Sequence, residues 1–383
     1  MKNISVTTRF LDFWLIGGAS IVVLLSMIAM SFFRESVYAV QYKFMMFGSF
    51  FALASVICNH PHFIIGYKFG YTRGFRFVFK FWFSLIVVPL SLITLYIYAF
   101  FLFDRRSSDF YFVELLNRGF ESLGFNCQFG AGQTMGPALL SLSLWIMYTT
   151  VVWHYSKQVY GCMMVYDKYD QYGLSKSQKL WIRYSLLSLG AYQFLSLTRE
   201  MDRASGPRQD YRFPGLDLGT LNSPNWLFYL STVVLVVGTL GTIFIFLNRY
   251  KTSRKWPSLP FIIPWISIYA WWIQIANIPE FYFMAVPFFH SLQYLPFAGK
   301  MELATIPKNT YHYVNISMRL IILLIVGLML FEFIPGALDQ NYISDRSVTF
   351  FTTSFAVFLN IHHFFIDSTV WKLDQKEMRE AIL

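Results

Sequence analysis

About ten stretches of this chain are long and apolar enough to cross a bilayer, and nothing constrains its fold more. Each spans close to the 20 residues that a helix needs to traverse the hydrocarbon. They lie near 11–33, 40–58, 78–103, 134–155, 178–198, 224–248, 259–278, 281–298, 315–335 and 347–368. A backbone in lipid must satisfy its own hydrogen bonds, so segments of this length are read as helices. Only 14% of the residues are charged, against about 25% in a soluble domain. The expectation is an all-α, polytopic transmembrane helical bundle, with residues 1–383 forming a single integral membrane domain.

Charge orients the bundle. With the N-terminus inside, 21 of the 31 Lys and Arg residues fall on one side of the membrane. Basic residues concentrate in cytoplasmic loops, so both termini are expected in the cytoplasm. The formal net charge of +10 then reflects loops facing anionic lipid. No basic block stands out, so no nucleic-acid partner is expected. Cys58, Cys127 and Cys162 make no disulfide framework. The first apolar run is too long for a signal core and lacks a small-residue cleavage site, so it reads as an uncleaved span. A bacterial inner membrane or its equivalent is the expected location.

Between the spans, 104–133 contains Ser108 and Asp109 ahead of FYFVELLNRGF, which predicts a capped amphipathic helix at the interface. The loop 199–223 is the most polar part of the chain and reads as a solvated connector or as a cover over an outer opening. Pro224 and Pro260 fall in first turns, where a missing N–H costs nothing. Pro89 and Pro287 are the interior candidates for broken helices.

The topology sorts the seven histidines. His60 and His62, in CNHPHF, fall just past the inner end of the second span. His154 ends the fourth, His290 lies in the inner half of the eighth, and His362 and His363 lie near the inner end of the tenth. His312 falls in an inner loop. Six imidazoles at one depth near the cytoplasmic face point to a shared metal site, because ionisable groups there are costly and mark function. Imidazole binds iron, zinc and copper. Helical spacing places Asn360, His363 and Asp367 on one face, with His362 about 100° away. Asp367 is expected to orient His363. Pro61 disfavours a helical conformation at His60, and in an extended segment His60 and His62 would face the same way as a clamp. Gln158 and Gln293 lie one turn beyond His154 and His290, within reach of their faces. Tyr155 and Tyr294 are nearby phenols. Cys58 and Cys162 read as small buried thiols. Acids are nearly absent from the spans, with Asp12, Glu280 and Glu332 near span ends. That scarcity argues against ion-coupled transport and against a carboxylate-rich di-iron site.

Many histidines at the cytoplasmic mouth of a membrane bundle resemble the membrane non-haem iron desaturases and hydroxylases. The resemblance covers the histidine-bearing helix ends and transfers no individual residue. It implies one or two iron ions, an O2-dependent hydroxylation, desaturation or cleavage of a lipid or other apolar small molecule, and an electron-donor protein. Zinc or copper are the other ions these ligands suit. Two other classes use fewer of these residues: a metal-free transferase with one histidine as general base, and a transporter for an apolar or anionic ligand.

Overall fold

The computed structural model describes residues 5–32, 37–203, 221–273, 285–306, 312–343, 349–372 and 375–383. Most of the polar 199–223 loop and Glu280 therefore lie outside the described residues. Within them the chain is almost wholly helical. The first helical stretch comprises α1 (Arg9–Phe13), a π-turn at Trp14–Gly18 and α2 (Ala19–Phe32). Thr8 caps it, its hydroxyl accepting from the Leu11 N–H. Then follow α3 (Val37–Tyr71), the short α4 (Phe75–Lys80), and α5 (Val88–Phe101) behind another π-turn. The amphipathic α6 (Tyr111–Ser122) precedes the long α7 (Met135–Tyr169) and α8 (Lys176–Arg203). The remainder runs through α9 (Asn225–Ser253), α10 (Leu259–Trp272), α11 (Val286–Ala304), α12 (His312–Leu328), α13 (Ile334–Tyr342), α14 (Phe350–Val370) and α15 (Lys376–Ile382).

Six of these helical stretches are long and apolar enough to cross a membrane. Their burial differs in a way that follows from lipid as solvent. Asn225–Ser253 buries 17% of its apolar window and Val314–Tyr342 buries 22%, whereas Met135–Tyr169 buries 67%. Apolar side chains gain nothing by leaving lipid tails, so peripheral helices keep theirs outward. α7 is the central post, packing against α5, α8, α10 and α14. α3 packs against α11, α12 and α14.

Several local readings change. α3 continues through Pro61 to Tyr71, so His60 and His62 lie inside a helix rather than in an extended clamp. Within the helix the two residues diverge by about 200°. The preference against helix before proline is overridden by packing on three neighbours. α7 likewise continues past His154 to Tyr169. Pro287 sits in the first turn of α11, whereas Pro89 lies inside the continuous Phe83–Phe101 helix just past its π-turn; Pro61, Pro264 and Pro296 are also inside helices among the described residues. α6 starts at Tyr111 with Phe110 at the cap and no side-chain cap, while Ser107–Asp109 forms a separate 3-10 turn. A two-residue pairing, Asn126 with Asn222 and Cys127 with Leu221, ties its far end to the start of α9.

One end of the bundle is closed by ion pairs. Arg9 bonds Asp170 at 2.7 Å, Lys179 bonds Asp167 at 2.7 Å, and Glu302 takes both Lys68 and Arg319. Asp12 is fully buried and accepts from Val6 N–H, Thr7 N–H and the Tyr166 hydroxyl. That set of donors explains how a carboxylate is tolerated there, and it assigns Asp12 to folding the N-terminal turn.

Candidate metal centre

Helix spacing builds the centre from three directions. On α14, His363 and Asp367 are one turn apart, with Nε2 and Oδ2 separated by 3.2 Å. α7 brings His154, whose Nε2 is 4.0 Å from the same Oδ2. α3 brings His62, its ring centroid 4.5 Å from that of His363. One donor atom from each of His62, His154, His363 and Asp367 lies within 4.8 Å of all the others, and all four residues are buried.

Close approach of α3 and α14 depends on glycine. A Cβ on Gly66 would stand 2.8 Å from His363 Nδ1 and 3.2 Å from Asp367 Oδ1. A Cβ on Gly70 would stand 2.9 Å from Ile366 Cγ2. The pair forms a Gly-x-x-x-Gly stripe that continues the His62 face by four-residue steps. That stripe is the sequence signal for this helix contact, and the histidine pattern alone does not reveal it.

The hydrogen bonding is unusual for a buried polar cluster. Neither ring nitrogen of His62 or His363 has a hydrogen-bond partner among the described residues, and neither does Asp367 Oδ1. His363 Nε2 is near Asp367 Oδ2 yet misaligned for a hydrogen bond to it. Donor atoms therefore converge on a common point rather than on each other. Asp367 makes no ion pair with Lys or Arg among the described residues, and a buried carboxylate without a close partner is costly. A divalent cation would provide the charge and fill the orphaned lone pairs. Ligands about 2.0–2.1 Å from one ion stand roughly 3.3–4.2 Å apart, so the set closes on an ion with side-chain shifts of under about 1 Å. The donor set fits a first-row transition metal.

The other expected residues are placed as follows. His290, on α11, abuts the group: its Nε2 is 3.0 Å from His154 Nε2, and its ring stacks on Tyr155 at 3.9 Å. Gln158 donates to the His290 carbonyl at 2.9 Å and to Gln293 Oε1 at 3.0 Å, and Gln293 donates to the Ile16 carbonyl at 2.5 Å. The two glutamines tie α7, α11 and the first π-turn together around His290. His60 faces α12 instead. It stacks on Phe331 at 4.7 Å and stands 3.9 Å from Glu332, an acid expected, from the apolar spans, at the opposite depth. The extension of α3 past residue 58 brings the two level. His362 also faces away, 3.1 Å from the Tyr71 hydroxyl and packed against Tyr67. Asn360 caps nothing in the centre; its amide donates to the Ala356 carbonyl at 2.8 Å. Cys162 is buried and Cys58 half-buried, both as free thiols.

Tyr294 carries more structure than its type suggested. Its ring packs edge-on to His62 at 3.9 Å, and its hydroxyl accepts from Trp371 Nε1 at 3.0 Å. Aromatic rings thus wall the donors away from water, with Phe364 stacked on His154 at 4.5 Å.

No protein-family model, curated protein or solved structure matches this chain. The functional reading therefore stands on the centre itself.

Proposed function

We propose that the chain is a multi-pass membrane oxidoreductase that crosses the bilayer about ten times with both termini cytoplasmic. Its buried centre would hold one transition-metal ion, iron in this reading, and act on a lipid or other apolar small molecule. The observation that carries the proposal is the convergence of donors from α3, α7 and α14, those of His62 and His363 without hydrogen-bond partners, around a buried carboxylate that makes no ion pair with Lys or Arg among the described residues. His62, His154, His363 and Asp367 are the ligands, and His290 is a fifth donor beside His154. Gln158 and Gln293 position His290 rather than touching the ion. Iron in a histidine-carboxylate site with open positions activates dioxygen. The protein's own part is to hold the donors in place, to exclude water with Phe364, Tyr294 and Trp371, and to admit the substrate. An iron centre needs a reductant, so an electron-donor protein is part of the proposal. The net positive charge and six helices long and apolar enough to cross a membrane support a bacterial inner-membrane or equivalent location.

The test is elemental analysis of the purified protein with oxygen consumption measured alongside. The expected result is close to one iron per chain, lost together with oxygen consumption in His363→Ala and Asp367→Asn. Wild-type protein carrying no more metal than these variants would overturn the proposal. A second reading, zinc-assisted hydrolysis at the same residues, is favoured by a count of four donors, which suits tetrahedral zinc. Zinc without iron, with no oxygen consumption, would select it.

A further inference from the structure

Next to the donors lies a cavity of about 100 Å³ whose wall includes His154 and Asp367. α7 contributes Lys157, Gln158, Gly161, Cys162 and Val165, a run of residues on one helix face. α11, α14 and α15 close it with Phe297, Phe364, Trp371 and Met378. Sites that enclose a whole small molecule occupy about 300–1,000 Å³. A space this small takes only the reacting segment of a longer ligand.

Three features of the wall say what that ligand is. The lining is largely apolar, so the segment that enters is hydrocarbon. Lys157 stands at the edge with its ammonium 4.3 Å from the Trp153 ring centroid. Lys157 is the one Lys or Arg in the wall among the described residues, and it stands within ion-pair distance of no carboxylate there. Asp367 does attract Lys157, but its carboxylate is turned to the histidines. A half-buried ammonium without an ion pair, in the wall of an otherwise apolar cavity, suits the head group of an anion. Finally, Gln158 Oε1 is buried without a partner while its amide nitrogen is used twice, so a head group that keeps one hydroxyl, as a phosphate monoester does, can donate to it.

We propose that this cavity is the substrate pocket, and that it takes an anionic amphiphile whose hydrocarbon segment enters toward the donors while its carboxylate or phosphate head pairs with Lys157. The proposal rests on the metal-centre reading for its chemistry, but its binding test does not depend on that reading.

Gly161 makes the test clean. A Cβ built there meets no atom within 4 Å, so a larger side chain grows into open space rather than into a neighbour. Binding of radiolabelled dodecanoate, dodecyl phosphate and neutral dodecanol is measured on full-length protein in nanodiscs. Wild type, Gly161→Leu and Lys157→Gln are compared, with metal content determined on each sample. The expected result is that wild type prefers at least one anion over dodecanol by tenfold or more. Lys157→Gln should remove most of that preference. Gly161→Leu should abolish binding of all three probes with metal content unchanged. The preferred anion separates a fatty-acid head from a phosphate head. Equal binding of anion and alcohol, or undiminished binding in Gly161→Leu, would overturn the proposal. If wild type binds as expected but carries no metal, the pocket stands and the oxidoreductase reading falls. Gly161→Ala, with thermal stability equal to or above wild type and weakened binding, guards against misfolding of the leucine variant.

Discussion

Gly66→Ala and Gly161→Ala are the same chemical change on two long helices, and the structure predicts opposite outcomes. Alanine in place of glycine favours a helix interior by about 1 kcal/mol. At Gly161 nothing opposes that gain, because the added methyl meets no atom within 4 Å. At Gly66 the methyl would stand 2.8 Å from His363 Nδ1, and His363 is fully buried with no room to retreat. Overpacking of that kind costs about 1–3 kcal/mol. The two variants should therefore differ by about 1–3 kcal/mol in stability, which is roughly 2–6 °C at about 2 °C per kcal/mol. The larger effect should fall on the metal, since displacing a ligand's support weakens metal affinity by about 10–100-fold. Thermal unfolding followed by tryptophan fluorescence reads the first, and competition with a chelator reads the second. Gly66→Ala holding metal as tightly as Gly161→Ala would refute the claim that α3 is pressed against the donors.

Other substitutions separate the donors from their surroundings. Asp367→Asn keeps the side chain's shape but removes its charge, and should lower bound metal to below about a tenth, whereas Asn360→Ala on the same helix should leave it unchanged. His60→Ala should keep full metal content, yet lose about 1–2 kcal/mol through the stack on Phe331; loss of metal there would place His60 in the centre. Gln293→Leu cuts the ties to Gln158 and the Ile16 carbonyl, and should loosen metal binding about tenfold without abolishing it, by titration with a metal buffer. Glu302→Gln leaves Lys68 and Arg319 facing each other without their acid. Both cations are about a third exposed, so the cost should be about 2 kcal/mol in denaturation, below the 3–5 kcal/mol of a fully buried pair.

The apolar runs, their spacing and the distribution of Lys and Arg already specify a helical chain in membrane. Local chemistry alone fixes such features: a segment of some 20 apolar residues has no other way to satisfy its backbone in lipid. Helix periodicity also pairs His363 with Asp367, because a four-residue step closes a turn whatever surrounds it. The tertiary structure decided which imidazoles meet. His60 and His62 are separated by one residue, yet packing of α3 between α12 and α14 sends one to Phe331 and the other to His363. His362 and His363 part in the same way, toward Tyr71 and toward the donors. Which face of a helix turns inward depends on how closely its neighbours approach, and here a missing Cβ at Gly66 sets that distance, a condition that no histidine pattern contains.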